Sequence, residues 1–181
     1  MKLSKSLSFT TILFSATHAT PNPGSSAALT PRESIVDTLL TFYRSLDVKS
    51  ESLFRSVTTS DLIFDGTAFA SIGVGAPEPM VSQDIIAPAL IASLNMTTSH
   101  NLVNFQVQID DQYANITAYV LAYHWKLLEE PRQNPLNNYL MSNWVEGNVR
   151  RENDTWKLEK VKLKPFFQSG NIEVMGLKQN N

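Results

Sequence analysis

"ITAYVLAYHWKLL" (Ile116–Leu128) alternates with a period of two, and this alternation decides the class of fold. One face carries Ile116, Ala118, Val120, Ala122 and His124, and the other carries Thr117, Tyr119, Leu121, Tyr123 and Trp125. The alanines beside His124 leave space that a ligand or a closely packed helix would fill. His124 therefore reads either as a pocket-lining group or as a ring satisfied by backbone near the strand end.

The same period recurs around this strand. "HNLVNFQVQI" (100–109) precedes it, "NYLMSNWVEGNVRRE" (138–152) follows, and "TWKLEKVKLKPFF" (155–167) closes the run. In the last, Trp156, Leu158, Val161 and Leu163 break parity, which predicts a bulge. "EEPRQNPLNN" (129–138) is a connection longer than a hairpin turn.

Upstream, the period changes. "RESIVDTLLTFYRSL" (32–46) spaces Ile35, Leu39, Phe42 and Leu46 as one face of an amphipathic helix. "DVKSESLFRSVTTS" (47–60) predicts a shorter helix with Asp47 at its N-cap and Leu53, Phe54 and Val57 buried. "DLIFDG" (61–66) is a short strand, and "TAFASIGVGAPEPMV" (67–81) is a long connection suited to a pocket rim. "SQDIIAPALIASL" (82–94) predicts a third helix that Pro88 should interrupt or kink. The sum is an α+β domain: a cone-shaped, curved antiparallel sheet wrapped against three N-terminal helices, open at its mouth.

Composition agrees with one domain and a genuine core: 181 residues, 43% hydrophobic and 18% charged. A formal charge of −2 without a long basic block speaks against a nucleic-acid partner. Lys2 and Lys5, an apolar run from Leu7 to Ala16 and small residues at Thr17 and Ala19 predict a cleaved secretory signal over 1–19. That run is about half the ~20 residues a spanning helix needs, so no membrane association is expected after cleavage. Losing Lys2 and Lys5 takes the charge from −2 to −4, and losing His18 leaves only His100 and His124. A flexible Pro/Ser-rich leader (20–31), the domain (32–170) and a C-terminal tail (171–181) follow. Asn95, Asn115 and Asn153 each begin an Asn-x-Thr triplet, the acceptor pattern of a glycosylated, secreted protein. With no cysteine, no disulfide assists the core.

In order, the helices, "DLIFDG", "TSHNLVNFQVQIDDQYANITAYVLAYH" and "WVEGNVRRENDTWKLEKVKL" resemble the SnoaL-like branch of the nuclear transport factor 2-like superfamily. The resemblance covers residues 31–170. Its most telling pieces are His100 with Asn104, the strand ending in His124, and the hairpin carrying Gly147, Arg151 and Trp156. It implies a cone pocket in which scytalone dehydratase, bile-acid dehydratase, ketosteroid isomerase and polyketide cyclases place acid/base residues, while other members only bind or dimerise. Against scytalone dehydratase, Asp47 falls where that enzyme has a helix-end catalytic aspartate, and His100 and His124 fall near its two pocket histidines. Leu46 and Gly66 stand where it carries two water-orienting tyrosines.

The catalytic candidates are therefore His124, His100 and Asp47. By strict alternation His100 shares a face with Leu102 and Asn104, opposite Val103, Phe105, Val107 and Ile109, and it reads as a strand-start surface histidine or as a second imidazole in the pocket. Two imidazoles in one cavity can divide acid and base work near neutral pH. Candidate substrate contacts are Tyr43, a hydroxyl donor; Asp65, otherwise a turn former before Gly66; Asn104; and Trp144 with Glu146, a flat wall and a base if their face is inward. No G-x-S-x-G elbow, cysteine, H-E-x-x-H or G-x-G-x-x-G pattern is present, so neither metal nor cofactor is expected. The expected function is a cofactor-free isomerase, dehydratase or cyclase acting on an apolar polyketide- or terpenoid-like molecule. The alternatives are a non-catalytic ligand-binding module and a homodimer using Tyr119, Tyr123 and Trp125.

Overall fold

The computed structural model describes residues 28–126 and 137–177; the expected signal, most of the leader, residues 129–136 of the long connection and the last four residues lie outside the described residues. α1 (Pro31–Asp47) begins with a capping box, in which the Thr30 side chain accepts from the Glu33 N–H and the Glu33 carboxylate accepts from the Thr30 N–H. Its predicted stripe of Ile35, Leu39, Phe42 and Leu46 is buried.

α2 (Glu51–Ser56) is capped by Ser50, not by Asp47: the Ser50 hydroxyl accepts from the Leu53 N–H at 3.2 Å. The N-cap lies three residues later than expected because Asp47 still belongs to the last turn of α1, which leaves its carboxylate free for other partners. Of the three residues predicted to be buried in this helix, Phe54 is fully so, while Leu53 and Val57 are half-buried. α3 (Gln83–Ser93) continues through Pro88 without interruption. Pro88 and Asp84, whose carbonyl loses its helical donor, are both exposed, so water can serve that carbonyl.

Six strands form one curved sheet: β1 (Thr58–Asp65), β2 (Met80–Val81), β3 (Thr97–Asp110), β4 (Tyr113–Trp125), β5 (Asn138–Glu152) and β6 (Thr155–Gly170), in the order β2-β1-β6-β5-β4-β3. The run from β3 to β6 is the expected antiparallel meander. β1 lies parallel to β6, so the sheet is mixed rather than wholly antiparallel. The long crossover that a parallel neighbour requires is supplied by α3 and the meander itself.

Two of the sheet's register shifts bear most on which residues face the helices. In β6 the register passes from Asn148↔Lys160 to Val149↔Leu158, where the sequence breaks parity. In β3 it shifts between Val103 and Gln106, with Asn104 at φ 59°. This second bulge overturns the strict alternation read from sequence. Phe105 and Val107 join Leu102 in packing against the core instead of facing away from it.

The inner face of the sheet meets α1, α2 and α3. Ile116, Ala118, Val120, Val145, Leu158 and Val161 are fully buried there. Gly147 allows close packing of this face, since a Cβ would lie 2.9 Å from Ile116 Cγ2 and 3.0 Å from Leu158 Cδ2. On the outer face Tyr119 packs edge-on to both Trp144 and Phe166. Just beyond β6, a 3₁₀ turn (Ile172–Met175) buries Val174.

Candidate functional site

The register of β3 on β4 pairs Thr98 with His124 and His100 with Ala122. Both histidines thus stand on the inner face as diagonal neighbours, their ring centroids 6.0 Å apart in an edge-to-face arrangement. They border a cavity of about 420 Å³ between α1, α3, the 66–80 connection and the sheet. Its walls are mostly apolar, including Phe42, Leu46, Phe64, Phe69, Leu90 and Met141, and the volume lies in the range of small-molecule sites.

Ending α1 at Asp47 brings its carboxylate onto β3. Asp47 Oδ1 accepts from the Thr98 hydroxyl at 2.7 Å and from His100 Nδ1 at 2.6 Å, and Oδ2 accepts from the His100 backbone N–H at 3.0 Å. Burial alone would raise this carboxyl, but the hydrogen bonds and charge of His100, with the Thr98 bond, hold it below its ordinary value. An ionised carboxylate only accepts, so His100 Nδ1 carries the proton and Nε2 is left for chemistry.

His124 is 3% exposed, and its Nδ1 lies 3.1 Å from the Tyr139 carbonyl. Burial pushes its pKa down to about 4, against the pull of that carbonyl. At neutral pH the ring is therefore uncharged, with Nδ1–H donating to Tyr139 and Nε2 an acceptor. Tyr43 lines the same cavity, its ring centroid 5.1 Å from that of His100. Burial raises its phenol well above the ordinary value, which keeps it a neutral donor, and the buried hydroxyl has no hydrogen-bond partner among the described residues.

Of the eight acid/base and substrate-contact candidates, the structure brings Asp47, His100, His124 and Tyr43 together and leaves four elsewhere. Asp65 points away from the cavity and accepts from the Thr67 backbone N–H and hydroxyl, closing the turn after β1. Asn104 is exposed at the β3 bulge. Trp144 and Glu146 lie on the outer face, where Glu146 accepts from Trp144 Nε1 at 3.2 Å and from Lys164 Nζ at 2.7 Å. The inward parity of β5 is the other one, through Tyr139, Met141, Asn143 and Val145.

That parity adds a residue the sequence reading missed. Asn143 lines the cavity, and its buried Oδ1 has no partner among the described residues. A polar residue interrupting the Tyr139, Met141, Val145 alternation was the available signal. Leu46 and Gly66 also border the cavity and bring no hydroxyl to it; Tyr43 does so from one turn earlier in α1. Among the described residues no group of three or more His, Asp or Glu side chains gathers as a metal site. Asn95, Asn115 and Asn153 are all exposed, the last in the turn between β5 and β6.

Solved structures share this architecture. The Kfla4162 protein from Kribbella flavida superposes with a TM-score of 0.69 at 27% identity, covering 81% of this chain and 97% of its own. A protein proposed to be a scytalone dehydratase from Novosphingobium aromaticivorans gives 0.61 at 16% identity, covering 75% and 84%. A type 2 hexachlorocyclohexane dehydrochlorinase, LinA, gives 0.60 at 14% identity, covering 76% and 86%. The last two likenesses speak for the fold alone. A search of curated proteins found no match. The family model described as a SnoaL-like domain matches residues 27–162, from just before α1 into β6, and the chain belongs to that family.

Proposed function

We propose that the protein is a cofactor-free acid/base catalyst that isomerises, dehydrates or cyclises a neutral, largely apolar small molecule of polyketide or terpenoid type. The observation that carries this reading is the Asp47–His100 pair opening onto the same apolar cavity as His124, Tyr43 and Asn143. Among the described residues no lysine or arginine lines that cavity, so an anionic substrate would find no counter-charge from them in its wall.

His100 Nε2 takes a proton from carbon next to a carbonyl, and Asp47 stabilises the imidazolium that forms. The Tyr43 hydroxyl donates to the carbonyl oxygen as charge builds there. His100 then returns its proton to a departing hydroxyl, giving water, or to a different carbon, giving an isomer. With its pKa near 4, His124 is too weak a base for the first step at neutral pH. It serves as an acceptor that orients a substrate hydroxyl, and Asn143 holds a second polar group.

The test is to purify the protein from its own culture under conditions that retain a bound molecule, identify that molecule by mass spectrometry, and incubate the complex in D₂O. Deuterium uptake at carbon, or loss of one water, that disappears in Asp47→Asn and His100→Ala supports catalysis. A molecule that persists unexchanged in the unaltered protein supports a binding module instead, a reading favoured by the missing hydroxyls at Leu46 and Gly66. We also propose that the protein acts along the secretory pathway, supported by the Lys2/Lys5 and apolar N-terminal pattern and by three exposed Asn-x-Thr asparagines. An intact N-terminus without sugars on the native protein would refute it.

A further inference from the structure

α1 ends in a hydrogen-bonded reversal. The Val48 N–H donates to the Arg44 carbonyl at 3.0 Å and the Ser50 N–H to the Ser45 carbonyl at 2.9 Å, with Lys49 between them at φ 57°. This left-handed position after a helix is usually glycine, because the Cβ of an L residue there crowds the following carbonyl oxygen. The Lys49 side chain turns back into the fold. Its Nζ donates to the Leu46 carbonyl at 3.0 Å and to Thr98 Oγ1 at 3.1 Å.

The second contact has a directional consequence. An ammonium only donates, so Thr98 Oγ1 must accept from it. The single hydroxyl proton of Thr98 is then committed to Asp47 Oδ1, 2.7 Å away, and Asp47 Oδ1 in turn receives His100 Nδ1–H at 2.6 Å. Thr98 is 7% exposed, so water has little access to compete for its hydroxyl. A bond to Leu46 alone would only cap a helix carbonyl; the bond to Thr98 links the lysine to the reacting pair.

We propose that Lys49, acting through Thr98, is a positioning residue for the Asp47–His100 pair, fixing the carboxylate so that it holds the imidazole with Nε2 toward the cavity. The proposal rests on the acid/base reading above. A strained residue retained where glycine would be favoured is accounted for by the task of its ammonium.

The test uses the full chain without substrate. The short Asp47–His100 hydrogen bond gives a far-downfield imidazole N–H proton resonance, assigned by its loss in His100→Ala. Lys49→Gly removes the ammonium while supplying the residue the backbone prefers, so its thermal stability holds or rises. Thr98→Val removes the hydroxyl with the branched shape kept, and Thr98→Ser retains the hydroxyl. The proposal expects the resonance to move upfield and exchange with water about tenfold faster in Lys49→Gly and Thr98→Val, the scale of one lost hydrogen bond, with Thr98→Ser like the unaltered protein. A resonance unchanged in position and exchange rate in Lys49→Gly overturns it. Failure of the catalytic reading would show separately, as undiminished carbon exchange in Asp47→Asn, a measurement in which Lys49 is intact.

Discussion

Acidification should expose the cost of keeping His124 neutral. Its pKa is 6.5 when free and is pushed down to about 4 in the fold, chiefly by burial. Between those values the unfolded chain binds a proton there that the folded chain refuses, so stability falls as pH drops through this window. Each pH unit across it costs about 1.4 kcal/mol, which makes the whole descent worth roughly 3 kcal/mol, a large share of a typical domain's stability. Asp47 is held below its ordinary value of 3.8, so its contribution is present above that value and lost only at lower pH. The two effects therefore occupy different windows. The assay is urea unfolding at pH 8, 7, 6, 5 and 4.5 for the unaltered chain and for His124→Gln, which cannot titrate. The variant should be less stable at pH 8, and the gap should close or reverse by pH 4.5. Parallel curves over the whole range would refute the claim that His124 is buried uncharged.

Three further substitutions separate chemistry from packing. Asp47→Asn keeps an acceptor for His100 Nδ1 but removes the charge that stabilises an imidazolium, so kcat/KM on the identified substrate should fall by about 10²–10⁴ with the far-UV spectrum unchanged. Tyr43→Phe deletes a buried hydroxyl that has no partner among the described residues, so thermal stability should hold or rise while turnover falls by at least about tenfold; a loss of both would mean the hydroxyl serves the fold. Gly147→Ala would force a Cβ to within 3.0 Å of both Ile116 and Leu158, and denaturant unfolding should register a loss of about 1–3 kcal/mol.

The α+β class was legible because local periods carry it. Ile35, Leu39, Phe42 and Leu46 advertise one helix face, and Ile116 to His124 advertise one strand face, from backbone geometry alone. The β6 bulge was legible for the same reason, since Leu158 and Val161 break a short-range pattern. The β3 bulge was not: Asn104 is one of many residues able to take positive φ, and nothing nearby marks it as the one that does. The parity of β5 shows where this reasoning ends. Alternation says that Trp144 shares a face with Glu146 and that Asn143 shares the other with Val145, but it does not say which face meets the helices.

The sequence by itself determined the elements, the family resemblance and a set of eight candidate site residues that includes Asp47, His100, His124 and Tyr43, because those follow from spacing within a few residues and from side-chain chemistry. Only the tertiary structure decided that Asp47 ends α1 instead of capping α2, and that it meets a histidine 53 residues away. It also decided that Asn143 faces the cavity while Trp144 and Glu146 face outward. Those outcomes depend on strand register and on where a helix terminus comes to rest against the sheet. Both are set by burying one continuous apolar surface, a property of the whole chain that no local window contains.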